Sequence, residues 1–177
     1  MKDTMEKAWH SLAQLLTSRW YWLALALLGV AMEGVALYYQ YAVGDEPCQI
    51  CIHVRIWVAA FTLLAVVMAV MPRRRWLATS AHVLVLVCMI GLWERCKYLL
   101  DVEKGLGDSS CQFFLDFPEW FAIDRWLPWL FEVRNLCGPT PMMPFGFSMA
   151  QYLMFMSTSL VFLAVAALAV NVLAWRE

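Results

Sequence analysis

Residues 47–75 open with Pro47-Cys48-Gln49-Ile50-Cys51-Ile52-His53-Val54-Arg55, continue as IWVAAFTLLAVVMAVM over 56–71, and close on Pro72-Arg73-Arg74-Arg75. A bilayer core about 30 Å thick takes roughly 20 mostly apolar residues in a helix. Residues 51–71 supply that length with one charge, Arg55. The arginines after Pro72 form a short basic turn of the kind enriched on the cytoplasmic side of membranes. This one stretch therefore sets a span and its direction, and it puts two cysteines at the outer mouth.

Three further segments of similar length, 20–39, 76–93 and 147–175, complete a four-transmembrane-helix bundle, an all-α membrane protein. Lys2, Lys7 and Arg19 precede the first span and Arg176 follows the last, so both termini are expected in the cytoplasm. Lys2, Asp3, Glu6, Lys7 and His10 dilute the amino terminus, which reads as an amphipathic lead-in rather than a cleaved signal. The external loops fall at about 40–50, which carries Asp45 and Glu46, and at 94–146. The whole of 1–177 is expected to form a single integral membrane domain.

Composition agrees with this reading: the chain is 63% hydrophobic and 15% charged, with a formal net charge of −1. With no basic run beyond Arg73 to Arg75, there is no electrostatic footprint for nucleic acid. Six cysteines suit an oxidising compartment. Cys48, Cys51, Cys111 and Cys137 fall on the outer side. Cys88, inside the third span, and Cys96, just past its outer end, read as small buried hydrophobes.

Pro47 is tolerated in a first helical turn, so the C-x-x-C should open the second helix. A thiol there gains from the helix dipole, and its thiolate is the form that exchanges disulfides. Arg55 lies four residues after Cys51 and seven after Cys48, on the same helical face. An arginine one turn inside a membrane helix needs a partner, and a ligand shared with the cysteine pair supplies a reason for it.

Between Cys111 and Cys137 eight Phe and Trp residues alternate with acidic and basic ones, a mix that suits a short interfacial helix. Its ends should stay mobile, because each sulfur must meet two partners in turn. Depth along the helices brings Glu33 and Arg55 to similar levels, where they could pair directly or through water. His53, His82 and the cluster Met149, Met154, Phe155 and Met156 read as packing.

Together these residues resemble the disulfide bond formation protein B (DsbB) family of bacterial inner membranes. The resemblance rests on Cys48-x-x-Cys51-x-x-x-Arg55 and on Cys111 followed by Phe117-Pro118-Glu119-Trp120, Asp124-Arg125-Trp126-Leu127-Pro128 and Cys137. The Met32-Glu33-Gly34-Val35-Ala36-Leu37 segment of the first span adds to it. It implies a protein-disulfide oxidoreductase in the bacterial inner membrane, multi-pass, with its redox cysteines periplasmic. Such an enzyme reoxidises a periplasmic DsbA-like thiol oxidoreductase and generates disulfides de novo.

The resemblance further implies that Cys111–Cys137 is the disulfide attacked by the partner, with Cys111 forming the mixed disulfide. Cys48–Cys51 would reoxidise that pair, and Cys51 as thiolate together with Arg55 would face ubiquinone, or menaquinone without oxygen. DsbA is poised near about −120 mV, so the resemblance implies an acceptor less reducing than glutathione. The chain departs from some relatives in having no histidine after His82 and Val54 before the arginine.

Two other readings compete. The vitamin K epoxide reductase type also sets cysteine pairs and a quinone on four helices, but its C-x-x-C sits late in the chain. A zinc site on the four outer cysteines is the non-enzymatic alternative.

Overall fold

The computed structural model describes residues 9, 11–72, 74–106, 111–115 and 117–173. The lead-in residues up to Lys7, with His10, Arg73 and Arg176, on which part of the orientation argument rests, lie outside the described residues. Helix α1, Arg19–Tyr38, starts where the Ser18 side chain accepts the Tyr21 N–H at 3.1 Å. It runs on as a π turn, Tyr39–Val43, and Gly44 ends it with a left-handed φ of 81° that glycine adopts without a Cβ penalty. Helix α2 is Gln49–Val70, with Pro72 just beyond its end, and α3 is Arg75–Glu103. The long loop holds two one-turn helices, α4 (Ile123–Trp126) and α5 (Pro128–Phe131). Helix α6 is Met149–Leu173.

These elements form the expected all-α architecture. Helices α1 (with its π turn), α2, α3 and α6 are each long and apolar enough to cross a membrane. Helix α1 packs on α2, α2 on α3, and α3 on α6, whereas α1 and α6 share no comparable interface. A seam is left between them. Trp22, Phe61, Met89 and Leu92 fill the centre of the bundle. Close approach is allowed by small residues, as is usual where water does not drive packing: Gly29 faces Thr62, and Gly91 faces the ring of Trp57.

One expectation is corrected, the outer end of the third span. Helix α3 continues to Glu103 instead of ending at Trp93. Glu94, Arg95 and Lys97 are good helix formers, so falling hydropathy marks a change of surroundings and not the end of the helix. Cys96 consequently lies within α3, with no exposed surface.

The helical part of the described loop is short, as expected, and falls in two turns: Leu127, before Pro128, takes φ −134° and ψ 65°, and α4 and α5 meet there. Leu115 and Phe131 are buried against Ile52 of α2, while Trp120, Trp126 and Trp129 stay exposed. His82 is 1% exposed and packs on Tyr21 and Trp22.

Candidate active site

The site begins with the start of α2. Cys48, not a helical residue, is the N-cap: it is extended, and its sulfur accepts the Cys51 N–H at 3.4 Å. Pro47 thus precedes the cap instead of lying in the first turn. The Cys48 and Cys51 sulfurs lie 2.8 Å apart. Their shared hydrogen bond pulls the Cys48 thiol below its ordinary value, and the backbone N–H groups of the first turn add to this against the opposing effect of burial. Within the reduced pair, the helix start stabilises charge on Cys48.

Both cysteines belong to one buried cluster, and Cys51 alone of the two also lines a cavity. Cys48 is buried in a small cluster with Leu99 and Ala150, and Cys111 and Cys137 pack against that same cluster. Cys111 and Cys137 are joined in a disulfide, with Cα atoms 5.7 Å apart. Two clamps hold them there. The Pro47 carbonyl accepts the N–H groups of Arg134 (3.0 Å) and Asn135 (3.2 Å), and the Gln49 side-chain oxygen accepts the Gln112 N–H at 3.0 Å. Each loop cysteine therefore has a near neighbour tied to a residue flanking Cys48. The disulfide also withdraws two of the four sulfurs that a zinc site would need.

Cys51 lines a cavity of 310 Å³ in the seam between α1, α2 and α6, with Val54, Arg55 and Val58 also on the α2 wall. Its walls are almost wholly apolar, including Leu28, Met32, Met149 and Met156. The methionines at 149 and 156, expected only to pack, are part of this lining. Asp45, at the loop end, has its carboxyl raised above the ordinary range by burial, with the Arg55 charge pulling the other way.

Arg55 is 6% exposed. Its Nη1 donates to the Gln40 side-chain oxygen and to the Leu130 carbonyl (3.0 Å), and its Nη2 donates to the Ala36 carbonyl (3.1 Å). One guanidinium thereby ties α1, α2 and the loop helix α5 together. Of its five N–H bonds, the one on Nε and the second on Nη2 take no partner among the described residues.

Glu33 also lines the cavity, but it makes no ion pair with Arg55: both of its carboxyl oxygens are buried and without a hydrogen bond among the described residues. The direct pairing expected from depth is absent. His53 does not face Cys51 either. Its Nδ1 meets the Gln49 carbonyl at 3.0 Å, and its ring lies edge-on to Phe117 beside a second, polar cavity lined by Arg95 and Cys111.

Sequence reasoning missed Gln40 and Glu103. Glu103 accepts from Thr140 (3.2 Å) and Ser148 (2.9 Å), fixing the end of the loop to the end of α3. Neither residue had a signal in the sequence, because the burial of Gln40 and the partners of both come from distant segments.

Comparison with known proteins gives one consistent result. Residues 18–168 match the family model described as DsbB: Disulfide bond formation protein DsbB. Disulfide bond formation protein B 2 of Pseudomonas aeruginosa is 34% identical over 137 residues, covering 76% of this chain and 81% of the relative. Disulfide bond formation protein B of Psychromonas ingrahamii is 31% identical, covering 76% and 74%. Its namesake in Haemophilus influenzae is 28% identical, covering 80% and 81%.

Proposed function

Because the chain belongs to the disulfide bond formation protein B family, and so acts in forming protein disulfides, we propose that it is the quinone-reducing member of a periplasmic relay. In this reading it sits in a bacterial inner membrane as a single domain, with the loops at the Cys48 end facing the periplasm and both termini in the cytoplasm. It reoxidises a DsbA-like dithiol protein. One observation carries the reading: Cys51 packs against the same buried cluster as Cys48 and the loop disulfide, and it also lines an apolar cavity that holds Arg55.

The cavity fits a quinone. Its volume lies at the lower end of the range for ligand pockets, about 300–1,000 Å³. It opens along a seam between helices, within reach of a lipid-soluble molecule, and it pairs apolar walls with a cation that has N–H bonds to spare. Arg55 and Cys51 would hold the head group, between Met32 and Met149. A bound quinone, ubiquinone or menaquinone, supplies an acceptor for two electrons and two protons.

The exchanges balance as follows. A partner thiolate attacks Cys111, the Cys111–Cys137 bond breaks, and Cys137 leaves as a thiolate. The second partner thiol then displaces Cys111, so the partner is oxidised and the loop pair reduced. A loop thiolate next attacks Cys48, which shares a buried cluster with the loop pair, and breaks a Cys48–Cys51 disulfide. The negative charge passes to Cys51, one helical turn from Arg55, which stabilises it and orients it toward the cavity. The second loop thiol releases Cys48 and restores Cys111–Cys137. Cys48 and Cys51 return to a disulfide as two electrons and two protons leave for the acceptor.

The test is ubiquinone reduction by purified protein supplied with reduced DsbA. Cys51→Ser should abolish turnover. Arg55→Met should raise the quinone concentration for half-saturation about tenfold, the cost of roughly 1.4 kcal/mol of binding. Wild-type saturation in the arginine variant would remove Arg55 from the site, and turnover by Cys51→Ser would overturn the relay.

A further inference from the structure

Glu33 has no role in the relay just described, yet it is the one acidic side chain in the membrane-spanning part of the cavity wall. It lies on α1, three residues before Ala36, whose carbonyl takes the Nη2 bond of Arg55. The carboxyl thus sits about one helical turn deeper along α1 than the Arg55 contact. Both oxygens are buried and neither has a partner among the described residues. Buried polar groups left unsatisfied in this way are rare and call for an explanation.

Other ionisable groups on the lining are Asp45, Arg55, Cys51, Tyr39 and Tyr152. Tyr152 already donates its O–H to the Pro144 carbonyl at 2.7 Å. An ionised Glu33 would draw Arg55 into an ion pair, since an isolated charge in a medium of low dielectric is very costly. Arg55 instead directs three N–H bonds to the neutral oxygens of Gln40, Leu130 and Ala36. The carboxyl is therefore matched to a state in which it carries its own proton and donates an O–H to something that enters the cavity.

We propose that Glu33 is a catalytic acid of the seam cavity: a protonated carboxyl that donates a hydrogen bond, and then its proton, to a carbonyl oxygen of the bound acceptor. This rests on the reading of the cavity as a quinone site. Oxidation of the Cys48 and Cys51 thiols to a disulfide releases two electrons and two protons. Glu33 passes one proton to the acceptor oxygen and is reprotonated by one released from the thiols, so its own state is unchanged over a turnover. The fully reduced acceptor carries both electrons and both protons. Arg55 near the cysteines and Glu33 one turn deeper would then address the acceptor from two levels of the cavity.

Infrared difference spectroscopy on the purified full chain, with and without a ubiquinone analogue bearing a single isoprene unit, tests this apart from turnover. A protonated-carboxyl C=O band, absent in Glu33→Gln, should be present without the analogue and shift to lower frequency with it. Turnover separates binding from proton transfer. Glu33→Gln keeps a donor of the same size, so its quinone KM should stay within about threefold while kcat falls about 100-fold, the scale of lost acid catalysis. Glu33→Leu should lose the donor as well and raise KM about tenfold. A band that ignores the analogue, or a Glu33→Gln variant with wild-type kcat, overturns the proposal. If the wild-type chain reduces ubiquinone while either of these holds, only the role of Glu33 fails. If the wild-type chain reduces no quinone, the reading of the cavity fails with it.

Discussion

Cys48 caps α2 through its own sulfur, so the first turn of that helix and the chemistry of the thiol are one arrangement. A lowered thiol pKa means that thiolate persists to lower pH than in an ordinary cysteine. In a Cys88→Ala, Cys96→Ala background, thiolate absorbance assigned to Cys48 should titrate below the ordinary thiol range when position 51 is Ser. It should move upward when position 51 is Ala, which removes the main hydrogen bond behind the shift. Arg55 stabilises structure as well as chemistry. Arg55→Met strands the Gln40, Ala36 and Leu130 oxygens, and each bond from a charged donor contributes about 1.5–3 kcal/mol. Denaturant unfolding in detergent should show a loss of at least about 2 kcal/mol. The closeness of Cys51 and Arg55 was legible in the sequence because a spacing of four follows the helical period, and the pairing of Cys111 with Cys137 was legible through the family resemblance. Gln40 and Glu103 were not, since their partners come from distant segments and no local pattern records that.

Among the elements, the four helix starts and three of the four ends fall within a few residues of where hydropathy put them, and the outer end of α3 does not. Ser148-Met149-Ala150-Gln151 is a capping box: the Gln151 N–H reaches the Ser148 hydroxyl oxygen at 3.3 Å, and the Ser148 N–H reaches the Gln151 side-chain oxygen at 3.0 Å. The same hydroxyl donates to Glu103, so Ser148→Ala removes a cap and a clamp together. A stability loss of about 1–2 kcal/mol is expected from the cap alone, measurable by unfolding in detergent. The far end of α3 escaped sequence reading because hydropathy reports the bilayer and not the backbone. Contacts between helices make a sharper prediction. A methyl group at position 91 would strike the Trp57 ring. Gly91→Ala should therefore cost about 1–3 kcal/mol by overpacking at the α2–α3 interface. Gly34→Ala, where a Cβ meets open space, should cost nothing comparable.

For the molecule as a whole, the decisive feature is the pair of helices that do not pack. Four spans were countable from hydropathy alone, but an interface missing between α1 and α6 depends on which faces are satisfied elsewhere, and that is settled only in three dimensions. The seam puts an apolar cavity behind Cys51, while the loop, held by Pro47 and Gln49, brings the Cys111–Cys137 disulfide up to Cys48. In the proposed relay, electrons cross between these two places only through the C-x-x-C. The deciding measurement reduces all the cysteines, adds ubiquinone, and follows each disulfide by acid quench, alkylation and mass spectrometry. Cys48–Cys51 should form first and Cys111–Cys137 after it, and in Cys51→Ser the loop pair should stay reduced. Oxidation of Cys111–Cys137 at an undiminished rate in that variant would contradict the relay.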